Sequence, residues 1–201
     1  GGLFFDRLKL AIPVVKGNTD DWLLNPKPKK VKSEKDRQEL EIDRWVLAQL
    51  TDTERELMQD YAQTLTFDLD GASLLCYHGS PISCEHRIRP TTPAKRLKEL
   101  FAGHNETLFA GGHTHEPMLR RFGPSLILNP GSVGAPVVER KTSTEDDYYP
   151  SWAEYALVEA NGADLRVTLR RVPYALADFA AAVRASGMPH AGYLLKGWRQ
   201  V

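Results

Sequence analysis

The 201-residue chain carries 26 Lys plus Arg against 26 Asp plus Glu, so no global positive field exists to draw in a polyanion, and nucleic acid is not expected as a partner. With 42% hydrophobic and 26% charged residues it has the composition of a globular protein rather than a disordered one. No apolar run approaches the ~18 residues of a membrane-crossing helix, and a single cytoplasmic domain is the expectation.

Residues 1–10 read as the tail of an amphipathic helix, with Leu3, Phe4, Leu8 and Leu10 near one face. Residues 11–15 form a short apolar run ending at Gly17, the pattern of a buried strand entering a loop. Residues 25–36 hold two prolines and five lysines and open a helical insertion over about 25–62. Lys27, Lys29, Lys30 and Lys32 read as a solvated loop. Leu40, Trp45, Val46 and Leu50 mark a helix over 38–50, and Thr51 with Glu54 matches a capping box that starts a second helix toward Tyr61. Trp45 and Leu57 exceed what one small domain readily buries, which makes these helices a candidate homodimer face.

From Leu65 the hydrophobic period changes to two. Asp70-Gly71 predicts a tight turn, and residues 73–77 return as a buried strand ending at His78. Cys76 lies in that strand and Cys84 eight positions on; they form no CxxC pair, and Cys76 reads as a buried, inert thiol. A helix is predicted over 93–102, with Thr92 as N-cap, Pro93 at its first position and Gly103 as its stop. Residues 107–111 are a short apolar strand. Residues 118–122 and 125–128 flank Gly123-Pro124 as a hairpin, 154–159 and 165–172 flank Asn161-Gly162 as another, and a helix near 176–185 follows. Residues 141–150 are polar and acidic and read as mobile. The alternation of strands and helices predicts an α/β sandwich of layers.

Three loops stand where predicted buried strands end: Gly17-Asn18-Thr19-Asp20, His78-Gly79-Ser80-Pro81 and Gly112-His113-Thr114-His115. In layered α/β folds that edge binds ligands. Two histidines one residue apart in a turn can address two adjacent metal ions, and imidazole suits Zn, Mn, Fe, Co or Ni.

The ordered motifs Gly17-Asn18, His78-Gly79 and Gly112-His113-Thr114-His115 resemble the latter half of the signature of the calcineurin-like metallophosphoesterases, in particular the small bacterial and archaeal phosphodiesterases. Asn129-Pro130-Gly131-Ser132-Val133-Gly134 extends the resemblance, as do Arg171-Val172-Pro173-Tyr174, the break at Gly187-Met188-Pro189 and the closing Gly197. It implies a layered α-β-β-α sandwich and a hydrolase with two divalent metal ions. Asn18, His78 and His113 would bind one ion and His115 the other, and a water activated by both would attack phosphorus. The implied substrate is a small phosphate ester, nucleotides included.

Two departures accompany the match. The family's Asp-x-His and Gly-Asp motifs, on an initial βαβ unit, do not occur in the 201 residues, so that unit with its bridging aspartate is expected upstream of Gly1. Where many members place a histidine as general acid, this sequence has Thr19, whose hydroxyl does not titrate near neutrality. The catalytic acid is therefore left unassigned.

Other signals stay open. Arg87 and Arg89, beside His86, read either as a solvated basic segment or as a clamp for a substrate phosphate. His86, His104 and His190 read as surface or locally hydrogen-bonded histidines. Gly131, Ser132 and Gly134 either offer N–H groups to a phosphate or only shape a turn. The rival function is a non-catalytic protein-interaction scaffold on the same fold, as in the retromer subunit that resembles this family; four ligands converging at strand ends favour the enzyme.

Overall fold

The computed structural model describes residues 12–28, 30–136, 148–162 and 164–200. The helix expected over 1–10 and residues 141–147 of the segment expected to be mobile lie outside them, as does Lys29. The expected strand at 11–15 is reduced to one parallel bridge, Val15 to Ala62, with Lys16 N donating to Ala62 O at 2.8 Å and Ala62 N to Val14 O at 3.2 Å. Pro13 has no N–H to extend the pairing, and Ile12 is 58% exposed.

Helix α1 (Asn18–Leu24) follows at once, so Asn18 opens a helix rather than sitting in a loop. An exposed stretch leads to α2 (Glu34–Gln49), which starts earlier than the apolar spacing indicates because the Ser33 hydroxyl accepts from Asp36 N at 3.1 Å. Helix α3 (Asp52–Gln59) has the predicted capping box: Thr51 N donates to Glu54 Oε2 at 2.8 Å, and Glu54 N to Thr51 Oγ1 at 3.3 Å. Thr51→Ala removes one arm of that box and is expected to cost about 1 kcal/mol in equilibrium denaturation. A change within error would mean that packing, not the cap, holds this helix end. Leu57 on α3 remains 47% exposed.

The central sheet is five-stranded and mixed, formed by β1 (Thr64–Leu69), β2 (Ala72–Tyr77), β3 (Leu108–Ala110), β4 (Met118–Phe122) and β5 (Ser125–Asn129) in the order β1-β2-β3-β5-β4. Strands β2, β3 and β5 run parallel at its centre, and β1 and β4 return antiparallel at the edges. The β1–β2 turn has positive φ at both Asp70 (53°) and Gly71 (89°), as the primed turn of a tight hairpin demands. The parallel strands supply the apolar centre: Leu75, Phe109 and Ile127 are each 1% exposed. Helix α4 (Ala94–Leu100) covers them with Leu97, Leu100 and the following Phe101, whose ring stacks 4.5 Å from Phe109 and edge-on 5.6 Å from Tyr77. Its N-cap is Pro93; Thr92, expected there, instead accepts from Arg89 N through its hydroxyl at 2.8 Å.

A two-residue pairing joins β6 (Tyr149–Pro150) to β9 (Trp198–Arg199). Strands β7 (Trp152–Asn161) and β8 (Asp164–Pro173) make a long antiparallel ribbon, and α5 (Leu176–Ala185) and α6 (Ala191–Leu195) lie between β8 and β9 in the chain. Fold class is α/β, as the sequence predicted. No helix among the described residues is long and apolar enough to cross a membrane.

Candidate metal centre

Because β2 and β3 are parallel neighbours, their C-terminal ends lie at one edge of the sheet. His78 leaves β2 and residues 112–115 leave β3, and Gly112 N donates to His78 O at 2.7 Å, tying the two exits together. The third loop arrives from the Val15 bridge: Gly17 N donates to the Asp20 carboxylate at 2.7 Å, which turns the chain into α1 with Asn18 first. A Cβ on buried Gly17 would stand 3.3 Å from Cε1 and Nδ1 of His78, so glycine lets this loop approach the imidazole.

Three side-chain atoms meet there. Asn18 Oδ1 is 2.8 Å from His78 Nε2 and 3.1 Å from His113 Nδ1, and the two ring nitrogens are 3.2 Å apart. For metal–ligand bonds of about 2.1 Å, neighbouring donors stand about 3.0 Å apart around an octahedral ion and about 3.4 Å around a tetrahedral one. The triangle therefore has the size of one octahedral face, and the residues fit a divalent ion. The amide contributes the third corner: among the described residues no cluster of three or more His, Cys, Asp or Glu is placed to hold a metal.

Both imidazoles are biased toward the neutral, lone-pair form that binds metals. Burial, reinforced by the neighbouring His113 and His115, pushes His78 down to about 4. Burial, then the nearby Arg87 guanidinium, lowers His113. Among the described residues the buried Nε2 of His113 has no hydrogen-bond partner, and the triangle engages the other ring nitrogen.

His115 is held differently. Its Nδ1 is 2.9 Å from Ala135 O, an acceptor only, so Nδ1 carries the proton and Nε2 keeps a lone pair for a ligand. The turn bearing both histidines is strained: His113 (φ 61°) and His115 (φ 57°) occupy the left-handed region, at roughly 1 kcal/mol or more each. Thr114, between them, is buried.

Of the remaining predicted residues, Thr19 is exposed on α1. Arg87 is exposed and near enough to act on His113, whereas Arg89 is engaged by Glu116 at 3.4 Å. His86, His104 and His190 are locally hydrogen-bonded, to Ser80 (2.8 Å), Glu106 (3.5 Å) and Glu41 (2.7 Å). Cys76 is half-buried, and burial raises its thiol pKa.

Gly131 and Ser132 shape a turn. Gly131 (φ 92°) lies so close to Glu154 that a Cβ would sit 2.2 Å from its Oε2, and Ser132 O accepts from Glu154 N at 2.9 Å. Glu154 was not foreseen, because an acidic residue in an alternating strand reads as solvent-facing. It is 4% exposed, and its Oε1 accepts from Trp152 Nε1 at 3.0 Å and from Arg171 at 3.0 and 3.2 Å.

Comparison with known proteins bears on the family and the fold. The sequence profile of the calcineurin-like phosphoesterase superfamily domain matches residues 4–146. Among solved structures, a metallophosphoesterase from Sphaerobacter thermophilus is similar at 22% identity and a TM-score of 0.60, over 91% of this chain and 75% of that one. A hypothetical protein from Pyrococcus horikoshii is similar at 17% identity and a TM-score of 0.65, over 94% of this chain and 74% of that one. No curated protein matches. At these identities the structural likeness speaks for the fold alone, that of the metallophosphoesterases, and the sequence profile speaks for the family. The chain belongs to the calcineurin-like phosphoesterase superfamily.

Proposed function

We propose that this protein is a phosphodiesterase working with two divalent ions, with Asn18, His78 and His113 on one ion and His115 on the other. The observation that carries the reading is the triangle of Asn18 Oδ1, His78 Nε2 and His113 Nδ1, with all three separations between 2.8 and 3.2 Å. When bound, such ions lower the pKa of a water and offset charge on phosphoryl oxygens.

The chain's own residues orient the site. Burial keeps His78 and His113 unprotonated at neutral pH, and Ala135 O fixes the tautomer of His115. Arg87, exposed and near enough to lower the His113 pKa, and Arg89 would be the cations that meet a substrate phosphate. Thr19 cannot serve as a titrating acid, which favours esters whose leaving group departs without a proton. The substrate class is a small phosphate ester, the compartment the cytoplasm, and the inserted helices α2 and α3, which carry Trp45 and the exposed Leu57, a homodimer contact.

Hydrolysis of bis(p-nitrophenyl) phosphate by the full-length protein tests this. Turnover is expected with Mn2+, to vanish with a chelator, and to exceed that of the monoester. Its rate should fall steeply as the leaving group becomes a poorer one. Turnover that survives complete chelation would rule the reading out.

A further inference from the structure

We infer that Asn129 is the positioning residue of this centre: its side-chain amide clamps the turn 112–115 and so sets the affinity of the His113 and His115 site for metal. This rests on the metal-centre reading above. Asn129 ends β5, next to β3 in the sheet, and is 2% exposed. Its Nδ2 donates to Gly112 O at 2.8 Å and to Thr114 Oγ1 at 2.9 Å, while its Oδ1 accepts from Gly131 N at 2.9 Å. A carbonyl on one side and an N–H on the other leave one orientation of the amide that satisfies all three bonds.

The clamp grips the turn around the residue that needs holding. Gly112 O precedes His113 and Thr114 Oγ1 follows it, while Thr114 N closes the turn on Gly112 O at 2.7 Å. Two left-handed histidines separated by one residue will relax toward ordinary backbone angles unless fixed from outside. The same loop supplies the second brace, since Ala135 O holds His115. That loop is itself anchored: Ala135 N donates to Ser132 Oγ at 3.0 Å, and Ser132 O accepts from Glu154 N at 2.9 Å. Residues 129–135 thus meet the histidine turn at both ends, and Asn129 is the member whose donors no other side chain type of its size supplies.

Asn129→Asp is nearly isosteric, keeps the acceptor for Gly131 N and removes both donors. Titration of the metal-free, full-length protein with Co2+, followed by calorimetry and by the visible absorption of bound Co2+, reads the effect. Dissociation constants are expected to rise about 10-fold or more, with an altered Co2+ spectrum, at temperatures where circular dichroism shows the variant folded. If Asn129→Asp does not fold, Thr114 carries the test: Thr114→Val loses the acceptor and should weaken Co2+ binding several-fold, and Thr114→Ser should restore it. Unchanged affinity and spectrum in Asn129→Asp, or equal affinities for Thr114→Val and Thr114→Ser, would overturn the inference while leaving the metal centre intact. Failure of the wild-type protein to bind Co2+ at all would instead remove the underlying reading, and the inference with it.

Discussion

His113→Ala is expected to reduce diester hydrolysis about a thousandfold or more, and to leave in place one of the two ions proposed above. His113 contributes a corner of the triangle, 3.1 Å from Asn18 Oδ1 and 3.2 Å from His78 Nε2. Alanine keeps the Cβ that makes the left-handed region costly, so the backbone strain at that position stays much as it is with histidine, and circular dichroism of the variant separates a lost ligand from a lost fold. His115→Ala should be equally inactive but lose the other ion, because its ring is oriented separately through Ala135 O. Elemental analysis of both purified variants, beside rate measurements, separates the two claims. Full activity in either variant would remove the catalytic assignment. Equal loss of both metals in each would refute only the division of ligands.

Gly79→Ala is expected to destabilise the fold by about 3 kcal/mol, an overpacking cost at the upper end of the usual range, lowering Tm by roughly 6–12 °C for a chain of this size. A Cβ at residue 79 would lie 2.6 Å from both Cys84 O and His86 O. These are backbone atoms, and they cannot swing aside as a flexible side chain does. Their loop is tied by Ser80 N to Ser83 O at 2.9 Å and by the fully buried Ser80 hydroxyl, which bonds His86 Nδ1 at 2.8 Å. Relief must therefore move the segment that carries His78. Weaker metal binding should accompany the lower Tm. Gly192→Ala, with nothing among the described residues within 4 Å of the added Cβ, is the matched control and should be neutral or slightly stabilising. Thermal unfolding of the two variants side by side decides it; equal melting temperatures would mean that the residue 80–86 loop yields freely.

The features legible in the sequence were those written in neighbouring residues. Asp70-Gly71 names its own turn, Thr51 and Glu54 name their cap, and the strand-end placement of His78 and residues 112–115 brings those loops to one sheet edge. What escaped is one local bond and several partners distant in the chain. Asn18 opens a helix because Asp20 captures Gly17 N, a local bond that a reading focused on ligand loops passed over. Glu154 is buried because Arg171, opposite it across the ribbon, and Gly131 from another loop close over it. The bonds of Asn129 likewise span 15 and 17 residues, and only the pairing of β3 with β5 brings them within reach. The ion pair of Arg89 with Glu116, 27 residues on, is likewise invisible in the local sequence.

Asn18, His78 and His113 are proposed to hold one ion. A crystal structure of the full-length protein grown with Mn2+, with data collected at the manganese absorption edge, tests it most directly. An anomalous peak is expected about 2.1 Å from Asn18 Oδ1, His78 Nε2 and His113 Nδ1 together, with a second peak beside His115. No peak inside the triangle, with the three atoms still joined to one another by hydrogen bonds at saturating Mn2+, would contradict it.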